Sequence, residues 1–102
     1  MKPDKVLSML GLAARAGKVE SGEFCTERAV KDGRAECVIV AEDSSNNTKK
    51  MFQNMCTYYK VPLYFYSDKA ELGHAIGRES RASMAVTDAG LAKQVGLRME
   101  ER

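Results

Sequence analysis

AECVIVAED, residues 35–43, sets an unbroken apolar run, rich in β-branched residues, between Glu36 and the acidic pair Glu42-Asp43. A strand with one wet face alternates apolar and polar side chains, whereas a strand covered on both faces shows a continuous run. This stretch is therefore expected to lie in the middle of a sheet with helices above and below.

The flanking sequence supplies those helices. Upstream, Val6, Leu7, Met9, Leu10, Leu12 and Ala13 recur at helical spacing between Pro3 and Ala16, and Gly17 ends the run. Ser21-Gly22 opens a second helical segment in which Phe24, Cys25, Ala29 and Val30 can share a face, closed by Asp32-Gly33. Downstream, SSNN offers N-caps for a third helix through TKKMFQNMCTYYK (48–60), where Met51, Phe52, Met55, Cys56 and Tyr59 keep the 3.6-residue period. VPLYFY (61–66) then reads as a strand. Ser67-Asp68 can cap a fourth helix, KAELGHAIG (69–77), with Gly77 as its stop, and the connector GRESRAS (77–83) leads into a strand within SMAVTD (83–88). AGLAKQVGLRMEER (89–102) is expected to form a last helix that frays into a charged tail. Helices and strands alternate from end to end, so we expect an α/β fold, a three-layer α/β/α sandwich around a small mixed, mostly parallel four-stranded sheet. Three of those strands can be assigned to particular residues.

With 102 residues, the chain is long enough for one domain and too short for two ordinary ones, so residues 1–102 are read as a single domain. No apolar run approaches the roughly 20 residues that cross a bilayer, and the first ten residues lack the pattern of a secretory signal. A cytoplasmic protein without a membrane partner is the expectation. Sixteen basic against 14 acidic residues leave a formal charge of +2, so any nucleic-acid contact must come from a local patch.

Enzyme chemistry finds little support. Cys25, Cys37 and Cys56 are widely spaced and fit neither a zinc nor a redox pair; small buried or half-buried thiols are the expected role. His74 is the only histidine, and one ring makes neither a metal site nor a triad. Glu42 and Asp43 follow a strand end, where ligands gather in open α/β sheets, but adjacent acids in a strand point apart. No phosphate-cradling GxxxxGK[ST] or GxGxxG occurs, and the Gly73-to-Gly77 spacing resembles a membrane-helix motif without a membrane span around it. No catalytic residue, metal or cofactor is expected.

The polar connectors carry more. A helix start presents unpaired backbone N–H groups and partial positive charge, which suits phosphate without requiring a basic side chain. Ser21-Gly22-Glu23 and Asn46-Asn47-Thr48-Lys49-Lys50 are two such starts, and Arg28 and Lys31 can extend the first along its helix. Arg78 and Arg81 can hold phosphates bidentately or stack on a base.

In order along the chain, SGEFCTERAVKDGRAECVIVAEDSS (21–45), NTKK (47–50), NMCTYYKVPLYFY (54–66), ELGHAIGRESRAS (71–83) and AVTDAG (85–90) resemble the L7Ae/L30e family of RNA-binding ribosomal proteins, most closely its bacterial YlxQ-type branch. The resemblance runs from about residue 5 to 93. GRA before the buried strand together with ELGxAxG before the Arg-rich loop is more specific than either motif alone. It implies an α/β/α sandwich that binds structured RNA, often kink-turn or related internal loops, and performs no catalysis. By position it assigns RNA contacts to Gly22, Glu23, Phe24, Cys25, Arg28 and Lys31 at one helix, to Arg78, Glu79, Ser80 and Arg81 in the loop, and secondarily to Thr48 and Lys49. The implied partner is structured RNA, with ribosomal RNA or the ribosome first, bound by a monomer.

One motif departs from that pattern. Kink-turn readers of the archaeal type carry Gly-Thr-Asn-Glu where this sequence has Gly22-Glu23-Phe24-Cys25, and neither Phe24 nor Cys25 supplies the hydrogen bonds that read sheared G·A pairs. Gly22 and Arg28 keep phosphate positioning. Phe24 either stacks on an unpaired base or joins the core, the second being favoured by its apolar neighbours. A protein-interaction module on the same fold, without specific RNA readout, is the rival reading and fits the low net charge.

Overall fold

The computed structural model describes residues 4–101. Helix α1 (Lys5–Arg15), strand β1 (Val19–Ser21), helix α2 (Glu23–Lys31), strand β2 (Cys37–Val40), helix α3 (Asn46–Tyr59), strand β3 (Leu63–Phe65), helix α4 (Lys69–Ala75), strand β4 (Ser83–Val86) and helix α5 (Ala89–Glu101) follow in order. The part of the first-helix expectation that rests on Pro3 lies outside the described residues. Asp4 is the N-cap: its Oδ1 accepts the Leu7 N–H at 2.9 Å and its Oδ2 accepts the Tyr66 hydroxyl at 2.6 Å, which ties the α1 start to the end of β3.

β2 behaves as its composition requires. Cys37, Ile39 and Ala41 face a core shared with Val6 and Leu10 of α1, Leu72 of α4 and Val95 and Met99 of α5. Val38 and Val40 face the opposite core, with Ala29 and Val30 of α2 and Phe52 and Cys56 of α3. The alternation of a strand, applied to a run with no polar member, yields two apolar faces and hence three layers. Burial pushes the Cys37 thiol up to about 12 and the Cys56 thiol up to about 11, so both are neutral packing groups at ordinary pH. Cys25 departs from the expected buried or half-buried thiols, being exposed on α2.

The sheet order is β1-β4-β2-β3. β2 and β3 are parallel, but β4 runs antiparallel to both of its neighbours, β1 and β2. The sheet is mixed and four-stranded as expected, yet not mostly parallel: the reversed strand is central, and two of its ladders are antiparallel. The cause lies in α4 and the connector after it. Seven helical residues advance the chain by only about 10 Å, and the connector then doubles back until the Arg81 N–H reaches the carbonyl of Lys69, the first residue of α4, at 3.0 Å. The chain therefore re-enters the sheet at the edge it left, and β4 must run in reverse.

β1 was not assignable from sequence because Val19-Glu20-Ser21 is a short, half-buried edge strand without an apolar run. α5 does not fray within the described residues. It continues to Glu101, with Met99 buried and Lys5 Nζ 3.5 Å from Glu101 Oε2.

Candidate nucleic-acid interface

Because β1, β2 and β3 share a direction and β4 opposes them, the chain leaves three strands and enters the fourth at one edge of the sheet. The starts of α2, α3 and α4 and the 77–82 connector meet there.

The connector is seated on α4. Gly73 is buried, and a Cβ placed on it would lie 2.5 Å from the carbonyl oxygen of Glu79 and 2.8 Å from Cα of Ser80. Only a glycine lets the two backbones approach this closely. Gly77, at φ 75°, makes the left-handed turn out of the helix, and the Arg78 N–H donates to the Gly73 carbonyl at 2.8 Å. Gly73 and Gly77 thus form the seat and pivot of the connector. Arg78, Glu79 and Ser80 are consequently pushed outward and are exposed.

Arg81 turns the other way. It is half-buried; its Nε donates to Ser21 Oγ at 3.2 Å and its Nη1 to the Ser80 carbonyl at 2.8 Å. Ser21 ends β1 and directly precedes Gly22, the N-cap of α2, whose N–H donates to the Ser83 carbonyl at 2.9 Å. One side-chain bond from the connector and one backbone bond at the first residue of β4 thereby tie this stretch to the α2 start. The Arg81 bonds to Ser21 and Ser80 hold the guanidinium and use two of its five N–H donors.

Gly22 has φ 92° and ψ 158°, a conformation open in practice only to glycine, and nothing lies within 4 Å of where its Cβ would be. No side chain caps the helix, so the first N–H groups of α2 have no side-chain acceptor. Glu23, Phe24 and Cys25 are all exposed. Phe24, for which the core was favoured, has 69% of its surface in solvent, and the inward face of α2 belongs to Thr26, Ala29 and Val30. The expected Phe24-Cys25-Ala29-Val30 face therefore splits, with Thr26 in the inward position and its Oγ1 3.5 Å from the Glu20 carbonyl, a long contact. Arg28 stands one turn beyond Phe24, its guanidinium carbon 5.8 Å from the ring centroid. Lys31 follows on the same stripe, about 12 Å along the axis from the helix start. Arg28 and Lys31 pair loosely with Asp32 at 3.9 Å and Glu27 at 3.7 Å, exposed contacts that a phosphate can replace.

The α3 start adjoins the same edge. The Ala82 carbonyl accepts from the Ala41 N–H at 2.8 Å and from Ser44 Oγ at 3.4 Å. Ser45 caps α3 through the Thr48 N–H at 3.1 Å and also donates to Thr48 Oγ1 at 3.0 Å. Thr48 is thus engaged in the cap, and Lys49 beside it is half-buried. Glu42 and Asp43 fall in the turn after β2, and Asp43 Oδ1 accepts the Lys69 N–H at 3.0 Å, a structural bond to the α4 start. His74 is exposed on α4. Among the described residues no group of three or more His, Cys, Asp or Glu could hold a metal ion. No helix among them is long and apolar enough to cross a membrane.

This frame of three helix starts and a glycine-seated connector can be placed among known proteins. A model of the family described as ribosomal protein L7Ae/L30e/S12e/Gadd45 matches residues 4–96. The chain belongs to that family. It is 45% identical over 87 residues to an RNA-binding protein YlxQ of Bacillus subtilis (strain 168), covering 85% of this chain and 87% of that one. It is 30% identical over 87 residues, 84% of this chain and 72% of the other, to the large ribosomal subunit protein eL8 of Thermoplasma volcanium. A solved protein of unknown function from Bacillus halodurans C shares the fold at a TM-score of 0.93 and 35% identity, over 96% of this chain and 99% of that one. A Giardia lamblia 15.5kD RNA binding protein shares the fold alone, at TM-score 0.79 and 22% identity over 94% and 86% of the two chains.

Within this L7Ae/L30e member, two residues take positioning roles that the sequence reading does not assign to them. Ser21 positions Arg81, and Gly73 seats the connector. The Gly73-to-Gly77 spacing carries a signal of close backbone approach that needs no membrane; Ser21 reads as part of a helix start, and its bond to Arg81 has no local signal because the two lie 60 residues apart.

Proposed function

We propose that this protein is a non-enzymatic, ribosome-associated RNA-binding protein that docks as a cytoplasmic monomer on structured RNA with a kink-turn-like bend. Gly22 and the first N–H groups of α2 approach the backbone, Arg28 and Lys31 extend that contact, and Arg78 and Arg81 hold phosphates or a base from the connector. Glu79 and Ser80 shape the connector's outer turn, while Thr48 and Lys49 sit at the margin. The observation that carries this reading is the bond of 3.2 Å between Arg81 Nε and Ser21 Oγ, which fixes the basic connector beside the uncapped helix start. The names of the YlxQ and eL8 relatives point the same way.

Each phosphate contact releases counterions, so affinity should fall steeply with salt, with a slope near 0.7–0.9 per contact. Titrating a fluorescent kink-turn RNA at several salt concentrations should show this slope, and an Arg78→Ala/Arg81→Ala protein should flatten it by about two contacts' worth. Salt-insensitive binding, or an unchanged double variant, would falsify the assignment. Capture of a protein partner that survives nuclease, without an RNA shift at micromolar protein, would favour the interaction-module reading.

A further inference from the structure

We infer that Phe24 is a stacking platform for an unpaired nucleobase, so that the α2 start selects RNA bearing an extruded base beside the bend instead of reading paired-base edges. This rests on the RNA-binding reading and deepens it.

Phe24 is an apolar ring that the fold leaves 69% exposed, on the second residue of a helix whose start opens onto the shared edge. It is braced on one side: the Arg28 guanidinium lies over the ring, 5.8 Å from its centroid. A ring with a cation over it and free surface in solvent matches the flat, sequence-tolerant π-face of a base. Beside it, Gly22 leaves open space where any other residue would carry a side chain, so a backbone can approach while its base reaches the ring.

The surroundings argue against a protein anchor. Such anchors sit inside an apolar, water-excluding patch. The neighbours of Phe24 along α2 are Glu23, Cys25, Glu27 and Arg28, and the other exposed large apolar residues, Leu12, Tyr58, Tyr59 and Leu97, belong to α1, α3 and α5. An isolated ring in a polar setting suits stacking on a base.

The test uses the full chain and two probes, a kink-turn RNA with 2-aminopurine at each bulge position in turn, and a continuous duplex of equal length. With Phe24 present, one bulge position should change its 2-aminopurine emission on binding, and the bulged RNA should bind more tightly than the duplex. Phe24→Ala should weaken binding to the bulged RNA by about 5- to 150-fold, the range for loss of one aromatic–base stack, with the salt slope unchanged. Phe24→Trp should restore both affinity and emission change, while Tyr58→Ala, an exposed ring on α3, should alter neither. Normal salt-dependent binding that is indifferent to Phe24→Ala overturns this inference alone. Absence of salt-dependent binding by the unaltered protein overturns it together with the reading beneath it.

Discussion

At the start of α2, one backbone bond from Gly22 to Ser83 anchors the chain, and the space above the glycine is empty. In the 77–82 connector the backbone is pressed onto Gly73, turned by left-handed Gly77, and pinned at Lys69 and Ser21. Both regions lie at the same edge, but one is an opening and the other a seated loop. The opening exposes backbone donors and a braced aromatic ring, and the loop offers guanidinium groups whose placement depends on packing beneath them. Glycine therefore serves opposite ends in the two places. Gly22 is needed for its backbone angles, with room to spare, whereas Gly73 has ordinary helical angles and no room at all.

That contrast can be broken deliberately. The largest effect is expected from Gly73→Ala, since its methyl would meet backbone atoms of Glu79 and Ser80 that cannot swing aside. A loss near 3 kcal/mol, at the upper end for overpacking, should appear as a lower urea midpoint, together with weakened RNA binding as the connector lifts. An unchanged midpoint would mean that the loop is not seated as described. Gly22→Ala comes next. Strain in a glycine-only conformation costs about 2 kcal/mol, and here the methyl meets nothing, so the loss should come from backbone angle alone. D-alanine at position 22, introduced by chemical synthesis, should recover that stability because its mirror-image preference accepts positive φ; failure to recover would show that space matters at this position too. Smallest is Ser21→Ala, which removes the acceptor of Arg81 Nε. About 1 kcal/mol, near fivefold in RNA affinity, is expected with the salt slope intact, because the guanidinium is still present but less well aimed. A flattened slope would instead mean that Ser21 helps to hold a phosphate contact.

Much of the fold was legible in local pattern. The continuous run at 37–40 announced a strand covered on both faces, and the periodicities around it supplied the covering helices. Glycines at 17, 33 and 77 marked helix ends, and all three have positive φ. The candidate site was legible as two separate stretches, GEFC and GRESRAS, each recognisable by residue type. What pattern could not supply was the side on which Phe24 falls. On a nine-residue helix the inward stripe could be drawn through Phe24 or through Thr26, and only the packing of α2 on the sheet, beside the unrecognised strand β1, puts Thr26 inside with Ala29 and Val30.

The direction of β4 was beyond local pattern for a related reason. Its apolar residues satisfy a parallel or an antiparallel ladder equally well, because alternation sets which face a side chain takes and says nothing of polarity. Direction is fixed by where the preceding chain delivers the strand, and that depends on Gly73 allowing the connector to fold back along α4 to Lys69. Had β4 run parallel to β2, Arg78 and Arg81 would have entered at the opposite edge from Gly22. By itself the sequence determined the layers, the buried strand, the helix stops and the chemistry available at each connector, all consequences of short-range periodicity and side-chain type. The meeting of the two connectors at one edge came only from tertiary structure, since it rests on a close backbone contact and a hydrogen bond between residues 60 positions apart.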